Sequence, residues 1–375
     1  MLRTSSLTGA LVAQGFDVTV YAMVGRKRDY LARKPSGMEM ITDRLHEYVD
    51  RRRLWAALQF ASYRLGLPPV WITFLLSLMT PRKLREMLDA CDAIIVDFPF
   101  LFPAVPANGK PAVLNTHNVE ADLCERKWVA RIVAWIERRA ARRVQHVFCC
   151  TERDRTFFAK LAGEERTSLV PNGIYPTRFA GIQAERPSLR AALGYNDDDR
   201  VLLFPASSFG PNVEALAWLQ RFVATHEELL ARHRLQFLVV GSVSKQPFER
   251  KGLKAVGMVQ RIEPYFAAAD IAYNGVFRGS GTNLKMAEFM AVGLPILTTT
   301  AGVRGYDLVD GVDCLTFAPD TLAQTIEQSP ILKDPALLTA MARSAYEKNA
   351  RVIDMSRCIE PLARWLNDAA ARARA

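Results

Sequence analysis

The second half of the chain alternates short apolar runs with segments in which apolar residues recur every three or four positions. The first pattern predicts buried strands, and the second predicts helices that pack one face on a sheet. The predicted strands are Val201–Pro205, Gln236–Gly241, Lys254–Gly257, Ile271–Val276, Ile296–Thr300 and Cys314–Phe317, and the predicted helices are Val213–Thr225, Ile262–Ala269 and Leu284–Val292. Strands that alternate with helices indicate a doubly wound α/β domain with a parallel sheet.

The first half shows the same alternation with wider spacing. Its predicted elements are the helix Leu7–Gln14, the strands Phe16–Tyr21, Ala93–Asp97, Ala112–Asn115 and His146–Cys150, and the basic helix Arg126–Arg143. The Pro-containing segment Ile174–Arg190 is typical of a linker, and Arg357–Ala371 predicts a last helix. We therefore expect two Rossmann-like domains, at 1–175 and 176–356, and a C-terminal helix within 357–375.

A glycine-bearing turn connects the predicted strand Ile271–Val276 to the predicted helix Leu284–Val292, and its residue types suit a phosphorylated ligand. Glycines let the backbone approach a ligand closely, and the free N–H groups at a helix start favour an anion. Lys285 adds a positive charge in the first turn of the helix, and Glu288 lies three residues further on the same face. A cation for phosphate beside an acceptor for sugar hydroxyls predicts a nucleotide-sugar site.

The stretch Phe277–Pro295 resembles the second-domain signature of GT-B retaining glycosyltransferases of the group 1, family 4 type. Those enzymes usually carry two Glu residues separated by seven others, and Glu288 matches the second, which in the family holds the ribose hydroxyls. Ser280 stands at the place of the first, as in a branch that reads Gly-Ser-Gly-Thr-(any)-Leu-Lys. The donor-binding residues that this resemblance implies here are Lys285, Glu288, Gly279, Ser280, Gly281, Thr282, Asn283 and Arg278.

The same resemblance implies the architecture. In the GT-B fold two Rossmann-like domains face each other across a cleft, with the acceptor side in the first domain and the nucleotide-sugar in the second. The C-terminal helix of such enzymes crosses back to the first domain. Members usually begin with a strand and a Gly-rich turn before the helix that is predicted here near Thr4. That strand is central in a doubly wound sheet. We therefore expect either that the natural protein starts upstream or that the sheet is built without this strand. The loop that follows the strand normally helps form the acceptor side, so its loss would affect activity.

Two further segments of the second half resemble donor-binding segments of this family. The loop after its first predicted strand carries Ser207, Ser208 and Gly210, but not the Arg and Lys that many relatives have nearby. Its hydroxyls and backbone N–H groups would therefore serve the diphosphate, and the lysine and arginine beside the glycine turn would supply the charge. The alternative is a loop that only caps the next helix through Asn212. Val259 lies in a segment that resembles the backbone cradle of the nucleotide base.

Polar residues also follow two predicted strands of the first half, on the ligand side of a parallel sheet. His117 lies in a segment that resembles the His-Asn-Val-Glu run of the same glycosyltransferase branch. We expect it to be the catalytic residue that hydrogen-bonds the donor sugar or the departing phosphate, because imidazole can donate a proton near neutral pH. A lone His is more often structural. Glu120, Thr151 and Glu152 are candidates for the acceptor side, and their alternative roles are at helix starts.

The net charge of +10 is unevenly distributed along the chain. Residues 1–170 carry 26 Lys and Arg against 18 Asp and Glu, whereas residues 171–375 carry 23 against 21. Basic clusters such as Arg26–Arg28 and Arg51–Arg53 attract polyanions or an anionic membrane face. The apolar segment Leu67–Met79 could be an interfacial surface, with a buried helix as its alternative. The expected partners are a nucleotide-sugar, a glycan or lipid-linked acceptor and an anionic membrane surface; nucleic acid is not expected.

The sequence also leads to expectations about the cellular location of the protein and about its need for a metal or cofactor. No apolar run reaches the ~18 residues of a spanning helix, and the start lacks the pattern of a signal peptide. Six cysteines without metal-ligand spacing favour a reducing compartment, so we expect a cytoplasmic protein, peripheral on the inner membrane face. The acidic run Asn196–Asp199 precedes a predicted strand, which places it away from the ligand edge. We expect no metal and no cofactor, because a helix terminus and basic side chains can stabilise a leaving diphosphate.

These residues and the resemblance predict a metal-independent, retaining glycosyltransferase of the hexosyltransferase type. It would move a sugar from a nucleotide-diphosphate donor to a glycan or lipid-linked acceptor in polysaccharide or glycoconjugate synthesis. One alternative is a GT-B nucleotide-sugar 2-epimerase, whose usual acidic and histidine residues are not visible. Another is a degenerate, non-catalytic GT-B module, which Ser280 favours and which Lys285 and Glu288 oppose. A NAD-dependent oxidoreductase is not expected, because no Gly-x-Gly-x-x-Gly follows a strand.

Overall fold

The computed structural model describes residues 2–23, 35–279 and 282–374. Three predicted features lie outside these residues, namely Ser280, Gly281 and the basic cluster Arg26–Arg28. The chain divides into two compact units. The first comprises the residues up to Asn172 together with those from Met355 onward, and the second is Gly173–Asp354. The predicted boundaries after residues 175 and 356 lie close to these divisions.

The first unit is built from seven strands and from helices that precede, separate and follow them. Its strands are β1 (Val18–Met23), β2 (Gly37–Thr42), β3 (Leu45–Asp50), β4 (Ile94–Asp97), β5 (Ala112–Asn115), β6 (His146–Cys149) and β7 (Thr167–Leu169). Its α-helices are Leu2–Ala13, Arg53–Leu65, Val70–Leu78, Arg82–Ala90, Lys127–Arg143, Glu152–Ala162, Met355–Cys358 and Glu360–Arg374, and its 3-10 helices are Pro99–Ala104, Glu120–Leu123 and Glu164–Arg166.

These strands form two sheets, in the orders β1-β3-β2 and β4-β5-β6-β7. The second sheet is parallel throughout, whereas β2 runs antiparallel to β3. Among the described strands, none pairs with both β1 and β4. The sequence missed β2 and β3 because few of their residues are buried, so neither contains a continuous apolar run.

The two central strands of the first unit's parallel sheet are completely buried, whereas β4 and β7 are buried only in part. Every residue of β5 and β6 is buried. The helix Lys127–Arg143 packs its face of Val129, Val133 and Ile136 inward, and these side chains recur at the spacing of one helix face. Because β4, β5 and β6 run parallel, their carboxyl ends lie at one edge of the sheet.

The second unit is one seven-stranded sheet with helices in its connections. Its strands are β8 (Arg200–Pro205), β9 (Leu235–Val240), β10 (Phe248–Arg250), β11 (Leu253–Gly257), β12 (Ile271–Asn274), β13 (Ile296–Thr299) and β14 (Leu315–Phe317). Its α-helices are Arg186–Leu193, Gly210–Thr225, Glu227–Arg232, Glu263–Ala268, Leu284–Val292, Leu322–Gln328, Pro330–Lys333 and Pro335–Ile353, and its 3-10 helices are Pro176–Phe179 and Ile182–Glu185. The strand order is β10-β11-β9-β8-β12-β13-β14, and only β10 is antiparallel to its neighbour.

The prediction that Ile174–Arg190 is a linker was wrong. This segment belongs to the second unit, where it forms short helices whose Phe179 and Ile182 are buried. Its prolines occupy the first turns of helices, where a missing N–H costs nothing. The Arg190 guanidinium is buried and lies 3.0 Å from an Asp270 carboxylate oxygen.

Candidate functional site

The glycine-bearing turn lies at the carboxyl edge of the second unit's sheet, where it joins β12 to the helix Leu284–Val292. Strand β8 is hydrogen-bonded to β12 in parallel, so the loop that follows β8 lies at the same edge. The helix ends at Gly293, whose φ of 76° is a left-handed conformation that glycine adopts readily. In open α/β sheets this edge is the one at which ligands bind.

Lys285 connects the two loops at this edge. Its Nζ atom lies 3.1 Å from Oδ1 of Asn212, at the start of the helix that follows β8. The same amine lies 4.7 Å from the centre of the Phe204 ring. Burial lowers the pKa of Lys285 to about 7, and the negative charge of Glu288 opposes that shift only in part. An anion bound beside this amine would favour its charged form.

Asn212 also organises the loop after β8. Its Nδ2 atom donates to the carbonyl oxygen of Ser207 at 3.1 Å and lies 3.3 Å from the Ser207 hydroxyl. The backbone N–H of Ser208 donates to the Ser242 hydroxyl at 3.0 Å, and the helix begins at Gly210. The alternative that Asn212 only caps this helix was wrong, because the N-cap is Phe209 and no side chain caps it. Asn212 instead ties the predicted Ser207 loop to the predicted lysine.

Glu288 has a partner that the sequence did not reveal. One of its carboxylate oxygens lies 3.0 Å from Nη1 of Arg178, whose Nη2 lies 2.8 Å from Glu263. Burial raises the pKa of Glu288, while the charges of Arg178 and Lys285 act in the opposite direction. Arg178 lies in the segment taken for a linker, so its part in this site was missed.

The remaining predicted donor residues are in different surroundings. Arg278 is exposed and makes two hydrogen bonds to the Glu214 carboxylate, one of them 2.8 Å long, and these raise the pKa of its guanidinium. The Asn283 backbone N–H donates at 3.3 Å to the carbonyl oxygen of Arg304, a second residue that the sequence did not single out. Val259 follows β11 and lines an open pocket with Tyr265 and other residues.

In the first unit, His117 belongs to a buried polar cluster at the carboxyl ends of β4 and β5. Its Nε2 atom lies 2.9 Å from Oδ1 of Asp97, which also accepts a hydrogen bond from Asn115 at 2.6 Å. The Thr4 hydroxyl lies 2.5 Å from the other Asp97 oxygen. Burial opposes ionisation of Asp97, but these hydrogen bonds outweigh it and lower the pKa of the carboxyl. The Phe98 ring stacks on the imidazole, with 4.1 Å between centroids.

The three candidates for the acceptor side have local partners. Thr151 is the N-cap of the helix Glu152–Ala162, and its hydroxyl accepts the Asp154 N–H at 3.1 Å. Glu152 lies 2.6 Å from Nε of Arg155. Glu120 begins a 3-10 helix, and burial raises the pKa of its carboxyl. These contacts agree with the helix-start alternatives, and any role toward an acceptor stays a prediction.

The acidic run Asn196–Asp199 and the helices bear on the predictions about a metal site and about the membrane. Asp198 pairs with Arg234, and Asp199 accepts the Asn196 N–H at 2.7 Å, before β8 begins. Within residues 2–23, 35–279 and 282–374, no three His, Cys, Asp or Glu side chains are placed to hold a metal ion. None of the helices in that part of the chain has both the length and the apolar character needed to span a bilayer.

Comparison with models of protein families found one match in each half of the chain. The model described as Glycosyltransferase Family 4 matches residues 3–178, and the model described as Glycosyl transferases group 1 matches residues 199–329. Together the two matches cover most of the chain. A comparison with curated protein sequences found no match.

Solved structures share the fold over nearly the whole chain. HepE of Anabaena, in complex with UDP and glucose, is 14% identical, with a TM-score of 0.65 over 97% of this chain and 95% of that one. The UDP-forming α,α-trehalose-phosphate synthase of Burkholderia xenovorans is 12% identical, with a TM-score of 0.68 over 98% of each. Sucrose-phosphate synthase of Thermosynechococcus elongatus is 16% identical, with a TM-score of 0.63 over 98% and 93%. At these identities the likeness shows the fold alone, which is GT-B.

Proposed function

Since this chain belongs to the group 1, family 4 type of glycosyltransferases, we propose that it is a retaining hexosyltransferase. It moves a sugar from a nucleotide-diphosphate donor to a glycan or lipid-linked acceptor in polysaccharide or glycoconjugate synthesis. The observation that carries the proposal is the position of Lys285 at the carboxyl edge of the sheet, where its amine lies 3.1 Å from Asn212 of the neighbouring loop. Burial there lowers the pKa of the amine to about 7. A phosphate charge beside it offsets the cost of burying its positive form.

The roles of the other residues follow from their chemistry. Glu288 accepts hydrogen bonds from the ribose hydroxyls, and the loop of Ser207 and Ser208 offers hydroxyl and N–H groups to the diphosphate. His117, held by Asp97 at 2.9 Å, hydrogen-bonds the donor sugar or the departing phosphate. The bond from the anomeric carbon to the diphosphate oxygen breaks, and the acceptor hydroxyl attacks from the same face. Because the attack comes from the face that the diphosphate leaves, the anomeric configuration is retained, and the departing phosphate takes the acceptor proton.

A thermal-shift panel tests this proposal. UDP, GDP, ADP, CMP, their sugar conjugates and the bare nucleosides would each be added to the whole protein. UDP heads the panel because structures of Anabaena HepE contain it. We expect one nucleoside diphosphate and its sugar conjugate to raise the melting temperature, since ligand bound only to the folded state stabilises it. A folded protein whose melting temperature no nucleotide changes would contradict the proposal.

We expect donor binding and sugar transfer to persist in EDTA. Basic side chains and helix N–H groups stabilise the leaving diphosphate without a divalent ion. Transfer would be measured with the donor that the panel identifies, in EDTA, in added Mg²⁺ and in added Mn²⁺. Rates within about twofold of one another are expected, with the screening of phosphate charge as the only effect of the ion. Activity that appears only with a divalent ion would refute metal independence.

We also propose that the first unit docks on an anionic membrane surface, through the helix Val70–Leu78. Its inner face is buried, whereas Trp71, Phe74 and Leu78 are exposed and share the opposite face. The exposed basic side chains of Arg82 and Arg85 follow directly. This surface, defined by those five residues, unites an apolar stripe with positive charge, the combination that binds anionic bilayers. Arg82 also lies 2.9 Å from the Glu86 carboxylate on its own helix, and Arg51 and Arg52 of the other basic cluster pair with Glu39 and Asp50.

Liposome flotation tests the docking surface. We expect the whole protein to float with anionic vesicles, to float less with neutral ones, and to lose binding in high salt, because salt screens attraction worth about 1 kcal/mol per basic residue. The double variant Phe74→Ser and Leu78→Ser should float several-fold less than wild type. Leu337→Ser, a matched exposed apolar position in the second unit, should float normally. No flotation of wild type under any condition would exclude the membrane and favour a soluble acceptor.

A further inference from the structure

Arg304 lies beside the glycine-bearing turn, although 20 or more residues separate it from that turn along the chain. It belongs to the loop that follows β13, and β13 is the parallel neighbour of β12. Both loops therefore leave the sheet at the same edge. The carbonyl oxygen of Arg304 accepts the Asn283 N–H at 3.3 Å, which holds the loop against the start of the helix Leu284–Val292.

The turn leaves space for the arginine side chain. A Cβ atom built on Gly279 would lie 2.6 Å from Nη2 of Arg304, so any larger residue at 279 would displace the guanidinium. Gly279 has a φ of 153°, which L side chains rarely adopt. In the same way, a Cβ atom on Gly305 would lie 2.7 Å from Cγ2 of Thr282. The guanidinium thus lies along the backbone of the turn that is proposed to bind the donor.

The charge of Arg304 has no counter-ion within the described part of the chain. Nη1 donates to the carbonyl oxygen of Ala301, whereas Nε is buried without a hydrogen-bond partner, as is the Thr282 hydroxyl. Burial lowers the pKa of Arg304, and no carboxylate opposes that shift. The other arginines of this unit discussed above are paired: Arg178 with Glu263 and Glu288, Arg190 with Asp270, and Arg278 with Glu214.

A partly buried cation without a counter-ion is costly, and an unsatisfied buried donor adds to the cost. An anionic ligand beside the accessible part of the guanidinium offsets the cost of the unpaired charge. Lys285 supplies one positive charge near this turn, and the charge of Arg278 is already neutralised by Glu214. A diphosphate carries more than one negative charge, and a guanidinium can hold phosphate oxygens through two parallel hydrogen bonds.

We propose that Arg304 is a second phosphate-binding cation of the donor site and holds the diphosphate together with Lys285. This inference rests on the proposed function and deepens it. It assigns the affinity for the diphosphate to residues on two loops that follow adjacent strands. Because Arg304 contacts phosphate only, it contributes nothing to the recognition of the base or the ribose.

Calorimetric titration of the whole protein tests this role. The probes are the nucleoside diphosphate that the thermal-shift panel identifies, its nucleoside, and inorganic pyrophosphate. Arg304→Met should weaken the binding of the diphosphate and of pyrophosphate by roughly ten- to a hundredfold, the range of a hydrogen bond to a charged group. Affinity for the nucleoside should not change. Arg304→Lys keeps the charge but loses the two parallel N–H donors of the guanidinium, so its diphosphate affinity should lie between those of wild type and Arg304→Met. Arg343→Met removes an exposed arginine of the same unit and should bind as wild type.

The outcomes separate this proposal from the proposed function. Unchanged diphosphate affinity in Arg304→Met would overturn the role of Arg304 and leave the glycosyltransferase proposal intact. Wild type that binds pyrophosphate through Arg304 but binds no nucleotide would support the anion site and contradict the donor site. If wild type binds neither a nucleoside diphosphate nor pyrophosphate, the role of Arg304 and the proposed function are both overturned. If the Met variant does not fold, Arg304→Gln, which can still donate to Ala301, takes its place with the same expectations.

Discussion

Replacing Lys285 with Met is expected to lower the affinity for the nucleoside diphosphate by about ten- to a hundredfold and to leave nucleoside affinity unchanged. The lysine charge is placed for phosphate, and hydrogen bonds to charged groups contribute roughly 1.5–3 kcal/mol. Met is similar in length and can still pack on the Phe204 ring, although the contact of the charged amine with the ring is lost. Titration calorimetry with both ligands measures the difference. Equal losses for the nucleoside and the diphosphate would show that Lys285 acts only through folding.

The pH dependence of binding supplies an independent readout for the same residue. The pKa of Lys285 is lowered to about 7 in the free protein, so the amine is mostly charged below pH 7 and mostly neutral above it. Binding an anion favours the charged form, and the complex must therefore take up a proton at high pH. Diphosphate affinity should fall between pH 7.5 and 9, by at most about tenfold per pH unit.

The phosphate groups of the ligand do not titrate in that range, since a phosphate monoester loses its second proton near pH 6. Lys285→Met should abolish the slope. Calorimetry in buffers of different ionisation enthalpy should show proton uptake by wild type at pH 8.5 and none by the variant. A wild-type affinity that stays constant from pH 7.5 to 9 would contradict a phosphate contact by a depressed lysine.

Replacing Glu288 with Gln is expected to weaken nucleotide-sugar binding by about tenfold or more without unfolding the protein. The carboxylate makes charge-assisted hydrogen bonds to the ribose hydroxyls, and the amide makes weaker, neutral ones. Pyrophosphate affinity should change much less, because that probe has no ribose and is affected by Glu288 only through the charge of Lys285. A 2′-deoxy form of the nucleotide should already bind weakly to wild type and lose little more in the variant.

The contact of Glu288 with Arg178 requires a matched control. Arg178 lies 3.0 Å from Glu288 and 2.8 Å from Glu263, so removing either carboxylate disturbs the same arginine. Glu263→Gln should therefore reproduce any effect that arises from Arg178 alone. Unchanged donor affinity in a folded Glu288→Gln variant, or equal losses in the two variants, would remove the ribose role from Glu288.

Much of the second unit could be predicted from the sequence, because its strands are buried on both faces. Such strands are continuous apolar runs, and the predicted bounds of β8, β12 and β13 lie within two residues of the observed ones. The helix Leu284–Val292 begins and ends as predicted, since Gly293 and Pro295 mark its end. By contrast, β2 has no buried residue and β3 has only two, so neither contains a continuous apolar run. The prolines of residues 174–190 occupy helix starts and do not mark a linker.

The sequence by itself determined the residues of one short window, Lys285 and Glu288, because motif spacing along a helix is local. Only the tertiary structure decided their partners. Asn212 meets Lys285 across 73 positions, and Arg178 meets Glu288 across 110. Arg304 lies beside Gly279, and Asp97 lies beside His117, and these pairs are likewise far apart along the chain. The pairings of Lys285, Arg304 and His117 arise because neighbouring parallel strands end at a common edge of a sheet, whereas Arg178 reaches Glu288 from the 3-10 helix Pro176–Phe179. Both kinds of pairing depend on long-range packing, which no local pattern encodes.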